Sequence, residues 1–226
     1  MQYIFSPYLQ YRRTTVRRPL MASKNFSKLR NMVLLAALTA IVLVLQITGV
    51  TVRIMATNIN IGLIPIVFGA ITLGPAAGAW LGLVSGVSTF ILLGVMGGDP
   101  TFTVILFNNA PFMTALICIV KTTAAGYLSG LAYRILKGKS KLAALFAAAA
   151  TTPIVNTGLF ILGGLLISDV LAENFANGMG QTVVYFLVFG VAGINFILEF
   201  ALNIIVVPAL GKIVDVVTRS AYSKKK

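Results

Sequence analysis

The feature that most constrains this chain is the alternation of long, almost uncharged apolar blocks with short basic islands. Two blocks, residues 31–133 and 142–211, contain three charged side chains each. Hydrophobic residues make up 58% of the 226 residues and charged residues 10%. A single soluble core of this size cannot bury so much apolar surface. The sequence therefore predicts an integral membrane protein.

The lengths of the apolar segments predict how often the chain crosses the bilayer. A spanning helix needs about 20 mostly apolar residues. The predicted spans cover 32–50, 58–72, 76–96, 103–133, 142–167 and 182–213. Gly74 and Pro75 separate the second span from the third, because glycine permits a bend and proline removes a helix donor. The fourth span is expected to be kinked or divided near Lys121. The predicted fold class is an all-α integral membrane protein with six transmembrane helices.

The basic islands predict the orientation of these helices. Residues 1–30, residues 134–141 and the tail from Lys212 hold seven, four and five Lys or Arg, respectively. Lys and Arg are enriched on the cytoplasmic side of membrane proteins. Six spans place both termini on one side, so the N- and C-termini are predicted to be cytoplasmic. The connections expected outside lie near 51–58, 97–102 and 168–181. An alternative merges the helices around Pro75 into one re-entrant hairpin, which would contradict the charge bias.

The charge map also divides the chain into three parts and explains the net charge of +13. Residues 1–30 form a basic cytoplasmic segment, 31–213 the membrane domain, and 214–226 a basic cytoplasmic tail. Basic islands at helix ends are typical of membrane proteins and not of a nucleic-acid-binding face. Residues 1–20 lack the apolar core of a signal peptide. We expect them to be a dispensable or mis-started extension, or alternatively a membrane-surface segment.

The amino-acid composition excludes most kinds of catalytic and metal-binding site. The chain has no histidine, one cysteine and five acidic residues. These counts exclude a histidine base, a disulfide framework and a metal cage, so neither an enzyme nor a resident cofactor is expected. The fragment ILKGKS lacks the first glycine of a phosphate-binding loop. If the chain takes part in active transport, another subunit must bind ATP.

Small residues at four-residue spacing predict close helix packing. Gly74, Gly78, Gly82 and Gly86 form a stripe down the third span, and such stripes let helix backbones approach closely in lipid. Packing is favoured over direct substrate contact. Ala36 and Ala40 form a shorter pair on the first span, where packing inside the protein and contact with a partner both stay open.

Intramembrane amides predict a binding pocket. Candidate residues at the outer ends of their helices are Asn58, Asn60, Asn108 and Asn109, with Asn156 inside the fifth span. An amide in hydrocarbon needs a hydrogen-bonding partner or a wet cavity, so each residue marks either a helix pair or a ligand site. Their clustering favours a pocket that opens outward for a small polar molecule. Arg53, in the first outer loop, could bind a substrate carboxylate or could simply be solvated.

Two full charges, Lys121 and Glu199, are predicted to lie at similar depth in the membrane. A rise of 1.5 Å per residue places Lys121 about 20 Å below the outer start of its helix. Opposite charges at one depth suggest a buried ion pair. Alternatively, Lys121 extends toward the interface and Glu199 bonds neutral partners, and a proton relay is a third possibility.

Several segments together resemble one family of transport subunits. They read AALTA, NIGLIPIVFGAITLGPAAGAWLGLVSG, FNNAPFMTALICIVK, TPIVNTGLFILGG and INFILEF. From about Lys28 to Lys212 the chain resembles the substrate-binding S-components of energy-coupling factor (ECF) vitamin transporters, most closely the pantothenate-specific branch. The resemblance implies a plasma-membrane protein that binds a vitamin in its outer half. It also implies that Ala36 and Ala40 contact a transmembrane T-component, which carries two ATPases.

Pantothenate has one carboxylate, an amide and two hydroxyls, which Arg53 and the five asparagines would match. Another small polar vitamin would fit the same groups. A different class of function, a self-sufficient dimeric secondary carrier, would be driven by an ion gradient. That class is expected to show inverted repeats, which the two halves of this sequence do not display.

Overall fold

The computed structural model of the chain describes residues 20–48, 53–54, 57–58 and 60–222, with side chains for 27–48 and 60–214. Most of the extension predicted to be dispensable, residues 1–19, lies outside the described residues. The secondary structure within the described ranges is helical apart from one small hairpin. In that hairpin β1 (Arg53–Ile54) pairs antiparallel with β2 (Thr57–Asn58), and Arg53 lies opposite Asn58.

The helices differ widely in length. The long ones are α1 (Leu20–Ile47), α3 (Pro75–Thr89), α5 (Pro111–Leu136), α6 (Lys141–Leu165) and α9 (Gly193–Tyr222). The short ones are α2 (Leu63–Leu73), α4 (Thr103–Asn109), α7 (Ser168–Leu171) and α8 (Val183–Tyr185). Three π-helical segments, Phe90–Val95, Ala172–Ala176 and Phe186–Ala192, and a 3₁₀ turn, Asn177–Met179, join or extend them.

Five helical segments among the described residues are long and apolar enough to cross a membrane. They are Ser27–Ile47, Pro75–Val95, Pro111–Leu136, Lys141–Leu165 and Val183–Val214. The predicted second span, 58–72, is shorter in the structure, where α2 has 11 residues. At 1.5 Å per residue it covers about 16 Å, roughly half of the hydrocarbon core. The helix starts late because Asn58 belongs to β2 and Asn60 donates its backbone N–H to Glu199.

The break in the predicted fourth span lies elsewhere than expected. The sequence predicts a kink or division near Lys121, but α5 runs through Lys121 without interruption. The division falls at Ala110, between α4 and α5. Pro111 is the reason, because proline disfavours helical backbone in the preceding residue and suits the first turn of a new helix. The prediction at Lys121 was therefore wrong.

The predicted break between the second and third spans is present at Gly74. Gly74 has φ 103°, a conformation that favours glycine, and Pro75 begins α3. The chain folds back there, because Ala70 on α2 lies beside Gly78 on α3. Helices α2 and α3 therefore form an antiparallel pair.

The glycine stripe of α3 lies against α5. A Cβ atom on Gly86 would come within 2.5 Å of the Cys118 carbonyl oxygen, and one on Gly82 would overlap the carbonyl of Thr122. Gly78 is matched by a glycine on the other helix, since a Cβ on either Gly78 or Gly126 would overlap the other's carbonyl. The two backbones therefore touch along a stretch that only glycine permits on α3. Gly74 belongs to the turn instead, with nothing within 4 Å of its hypothetical Cβ.

The two ends of the bundle are built differently. At one end a buried cluster joins α2, α6 and α9 through residues that include Val67, Leu145 and Val214. The basic turn between α5 and α6 lies at this end, and the Ser140 side chain caps α6 by accepting a hydrogen bond from the Ala143 N–H at 3.3 Å. At the other end a second cluster joins the connection 96–102 to the connection 166–182. The basic turn is thus separated from the long connections by the length of the helices.

Candidate functional site

A cavity of about 120 Å³ lies between the helices, toward the end that carries the long connections. One ordered water needs roughly 10–15 Å³ by this kind of measure, so the cavity can hold far more than one water. Its walls come from α1, α3, α5, α6 and α9 and from the connection that contains Asp99. The polar side chains that matter most for its chemistry are Gln46, Lys121, Asn156, Asn195 and Glu199. A largely apolar concavity with a few convergent polar groups is typical of a small-molecule site.

Glu199 is a buried acid on the cavity wall. It is 5% exposed, and its Oε1 accepts the backbone N–H of Asn60 at 2.9 Å. Asn156 and Glu199 both line the cavity. Asn203, one helical turn further along α9, donates its side-chain N–H to the Glu199 backbone carbonyl at 2.8 Å. Glu199 therefore joins the start of α2 to α9.

Asn156 has a buried side-chain oxygen without a hydrogen-bond partner among the described residues. The residue is 5% exposed, and the oxygen is its Oδ1. An unsatisfied buried oxygen costs on the order of 1–3 kcal/mol. Such an atom on a cavity wall marks a place for a ligand or water donor.

Lys121 lies on the α5 wall of the cavity. Its Nζ is 4.9 Å from the centre of the Phe160 ring, within the range of a cation–π contact. The charge of Lys121 also acts on Glu199 across the cavity. Within the described part of the chain, however, the Glu199 carboxylate accepts a hydrogen bond from the Asn60 backbone, and no direct ion pair joins it to Lys121. Lys121 and Glu199 therefore line one cavity, and no ion pair between them fills the space.

Gln46 and Asp99 belong to the cavity but were missed by the sequence analysis. The Gln46 Nε2 donates hydrogen bonds to Ser85 and Thr89, each at 3.0 Å, and so ties α1 to α3. Gln46 is the one amide in an otherwise apolar first span. Like the intramembrane asparagines, an amide in such a span indicates a hydrogen-bonding partner or a wet cavity.

Asp99 lies in the connection before α4. It is 3% exposed, and its Oδ2 accepts the backbone N–H of Thr103 at 3.1 Å and the Thr103 hydroxyl at 2.7 Å. Its Oδ1 accepts the Thr101 hydroxyl at 2.9 Å. These bonds fix the start of α4, as a helix-capping carboxylate does. Sequence alone gave no such signal, because an acidic residue in a loop is usually solvated.

Aromatic rings join the connections to the cavity wall. Phe102 lines the cavity and has its ring centre 6.0 Å from that of Phe160 and 5.3 Å from that of Phe175. Phe175 stacks on Phe186 with centres 5.4 Å apart. Ring pairs at these distances are favourable. The 96–102 and 166–182 connections are therefore packed together beside the cavity.

Comparison with known proteins gives the chemistry of this cavity a context. The family model of the ECF transporter substrate-specific component matches residues 30–211. The chain belongs to this family. No curated protein and no solved structure compared with the chain gives a match. The chain is thus a substrate-specific membrane subunit of an ECF transporter, in a family of transport subunits and not of enzymes. Membership implies a small-molecule substrate and association with a T-component and ATPases.

The structure divides the six predicted substrate-binding residues of this S-component into three groups. Asn60 and Asn156 line the cavity. Asn108 and Asn109 are exposed, and the Asn109 side chain donates to the Ile105 carbonyl at 2.9 Å. The break at Ala110 turns these two amides away from the cavity. The side chains of the remaining two, Arg53 and Asn58, lie outside the part of the chain described with side chains.

The predicted T-component contact lies on the outer surface of the S-component. Ala36 and Ala40 are both exposed, whereas Leu38 and Val42 on the opposite face of α1 are buried. The pair therefore does not pack against another described helix. Among the described residues no group of His, Cys, Asp and Glu could hold a metal ion.

Proposed function

We propose that this S-component captures a small vitamin, pantothenate, from outside the cell and delivers it through a partner complex. The observation that carries the proposal is the cavity with its convergent polar groups, above all the buried Asn156 whose Oδ1 lacks a partner. Pantothenate offers a carboxylate, an amide and two hydroxyls. Lys121, Glu199 and the cavity amides can satisfy groups of each kind.

The position of the cavity supports capture from outside. The cavity lies toward the long connections, at the end away from the basic turn that holds Lys137 and Lys139. Basic residues are enriched on the cytoplasmic side, so the cavity end would face the exterior of the plasma membrane. Both termini would then be cytoplasmic, if α2 and its flanking turn complete a sixth crossing. Arg53 in the outer hairpin remains a predicted partner of the substrate.

Transport would require partners, because this chain is proposed to hold no cofactor and no ATP site of its own. The exposed small-residue face of α1 around Ala36 and Ala40 would dock on the T-component, with two ATPases supplying the energy. The S-component would then reorient in the membrane and present its cavity to the cytoplasm. A smooth face of small side chains suits close contact between helices in lipid.

The test compares binding with uptake. The purified S-component should bind pantothenate without ATP, with an affinity on the order of nanomolar. In proteoliposomes, uptake of radiolabelled pantothenate should need the T-component, both ATPases and ATP. Uptake by the S-component alone, driven by an ion gradient, would instead establish a self-sufficient carrier. Binding of a different vitamin would correct the substrate and leave the transport role intact.

Substitution on α1 tests the docking face separately. Ala36→Trp and Ala40→Trp should leave pantothenate binding unchanged, because both side chains point away from the cavity. They should abolish uptake and assembly with the T-component, since a bulky ring prevents close helix contact. Leu162→Trp, at a position 60% exposed on α6, is the matched control and should keep both activities. Full uptake by both alanine variants would place the docking face elsewhere.

A further inference from the structure

The end of the bundle that carries the basic turn forms a surface separate from the cavity. Leu145 and Val214 belong to one buried cluster at this end, and Tyr133 packs against that cluster. These residues come from the last turn of α5, the second turn of α6 and a late part of α9. The three helices therefore meet at this surface, beside the turn that joins α5 to α6.

We call the four exposed cations of this surface the basic patch: Arg134, Lys137, Lys139 and Lys212. Arg134 directly follows Tyr133 in the chain. Lys212 lies two residues before Val214. The other two cations belong to the turn between α5 and α6. All four therefore gather where the three helices meet.

The charge of this surface contrasts with that of the other end of the bundle. The sequence has four basic residues in 134–141 and five in 212–226, with one acid, Asp215, among them. The acidic side chains that the structure describes lie at the cavity or in the 166–182 connection: Asp99, Glu199, Asp169 and Glu173. A concentration of one sign of charge attracts partners of the opposite sign. The basic patch therefore favours an anionic partner.

Large exposed apolar side chains lie next to the cations. Ile135 follows Arg134 and is 66% exposed, and Ile213 follows Lys212 and is 46% exposed. Leu142, in the first turn of α6, is 61% exposed. Cations beside apolar side chains suit the boundary between lipid headgroups and acyl chains. A soluble phosphate would match the cations alone, whereas a phospholipid matches both kinds of side chain.

We propose that the basic patch binds an anionic phospholipid in the leaflet that it faces. Its cations contact the charged headgroup, and the neighbouring apolar side chains contact the acyl chains. Arg134 can form two parallel hydrogen bonds to a phosphate, and the lysines add point charges. The site goes beyond the proposed function, because it involves neither the cavity nor the α1 face around Ala36 and Ala40.

Competition between two lipids on the purified, full-length S-component tests the class of ligand. The immobilised protein is equilibrated in detergent with equal amounts of anionic phosphatidylglycerol and zwitterionic phosphatidylcholine that carry the same acyl chains. The bound lipids are then extracted and counted. We expect a preference for phosphatidylglycerol of at least about tenfold, because each cation near an anionic lipid contributes about fivefold. Equal binding of the two lipids would overturn the proposal.

Soluble anions test whether the acyl chains take part in recognition. At equal ionic strength, inorganic phosphate should displace no more phosphatidylglycerol than chloride does. The reason is that phosphate lacks the apolar part that Ile135, Leu142 and Ile213 contact. Stronger displacement by phosphate would mean that the basic patch is a site for a soluble phosphate group, and the lipid assignment would be wrong.

Single substitutions distinguish the basic patch from basic charge in general. Lys139→Gln should lower the preference for phosphatidylglycerol by about fivefold, since one cation of the patch is lost. Lys28→Gln is the matched control, because Lys28 is also exposed but belongs to α1, which packs against α2 and α3. This control should keep the wild-type preference. Both changes lie at exposed positions away from the cavity, so both variants should fold and bind pantothenate as the wild type does.

The outcome of these substitutions does not depend on which vitamin the S-component binds, because lipid binding is measured without a vitamin. An unchanged lipid preference in Lys139→Gln would overturn the site. An equal fall in Lys139→Gln and Lys28→Gln would also overturn it, because the effect would then come from the overall charge of the protein.

Discussion

Helices α3 and α5 touch along a glycine face over one part of their length and lie on either side of the cavity over the other. The touching part ends near Gly86, which lies against Cys118. Four residues further on, the stripe ends at Phe90, the first residue of the π-helical segment after α3, whose ring packs edge-on against Phe107 of α4 with centres 5.6 Å apart. The cavity lining on this helix begins at Thr89.

This contrast shows where a substrate cavity can form in this S-component. Where the stripe places glycine against backbone, nothing fits between the two helices, and the pair behaves as one rigid element. Where the stripe ends, larger and polar side chains separate the helices, and α4 packs beside the gap. The cavity therefore borders a rigid pair on one side and the connections that contain Asp99 and Phe102 on the other.

The largest effect on stability is expected from a substitution in the glycine contact between α3 and α5. Gly82→Leu would drive a side chain into the Thr122 backbone, which cannot move aside without displacing α5. We expect a loss of about 3 kcal/mol or more in the free energy of unfolding, and with it most of the folded protein. Size-exclusion profiles and thermal melting in detergent measure this loss.

The matched control for Gly82→Leu is Gly158→Ala on α6, where nothing lies within 4 Å of the new Cβ. Alanine in a helix interior is favoured over glycine by about 0.5–1 kcal/mol, so this variant should melt at or slightly above the wild-type temperature. Similar melting of wild-type protein and Gly82→Leu would mean that α3 and α5 do not touch as described.

An intermediate effect is expected at the connection beside the cavity. Asp99→Ala removes the acceptor of the Thr103 N–H, the Thr103 hydroxyl and the Thr101 hydroxyl. The free energy of unfolding should fall by about 2 kcal/mol, because a buried helix cap is lost. Asp169→Ala, at an exposed position before the π-helical turn, should change it by less than about 0.5 kcal/mol. Equal melting temperatures for the two variants would show that the Asp99 bonds do not stabilise the fold.

The smallest effect in free energy is expected within the cavity and concerns binding. Asn156→Ala should weaken pantothenate binding by more than about 1 kcal/mol, since a hydrogen-bonding side chain is lost from the cavity wall. Asn108→Ala, on the exposed face of α4, should bind as the wild type does. Equilibrium titration of both variants with pantothenate distinguishes an amide inside the cavity from one outside it. A weaker Asn108→Ala beside a normal Asn156→Ala would place the site at α4.

The sequence predicts the parts of the fold that depend on local chemistry. Apolar block lengths located the long spans, and Gly74 with Pro75 located the break before α3. The four-residue spacing put Gly78, Gly82 and Gly86 on one face of a helix. The partner of that face could not be found in the same way, because Gly126 belongs to another helix whose approach depends on tertiary packing.

The candidate site was harder to predict because residue type does not fix the direction of a side chain. Asn108 and Asn156 are both amides in apolar surroundings, yet Pro111 starts a new helix and leaves Asn108 exposed. Lys121 and Glu199 do border one cavity, as their similar depth suggested. Their hydrogen-bonding partners depend on where the α2 turn meets α9, and no spacing in the sequence encodes that contact.

The cavity is proposed to be the substrate site of a vitamin-binding S-component. Mass spectrometry of protein purified from cells without added vitamin tests it most directly. We expect a small organic anion, pantothenate, near one molecule per chain in the wild type and a marked loss of it from folded Asn156→Ala protein. Retention of the same molecule by that variant at the wild-type level would contradict the assignment of the cavity as the substrate site.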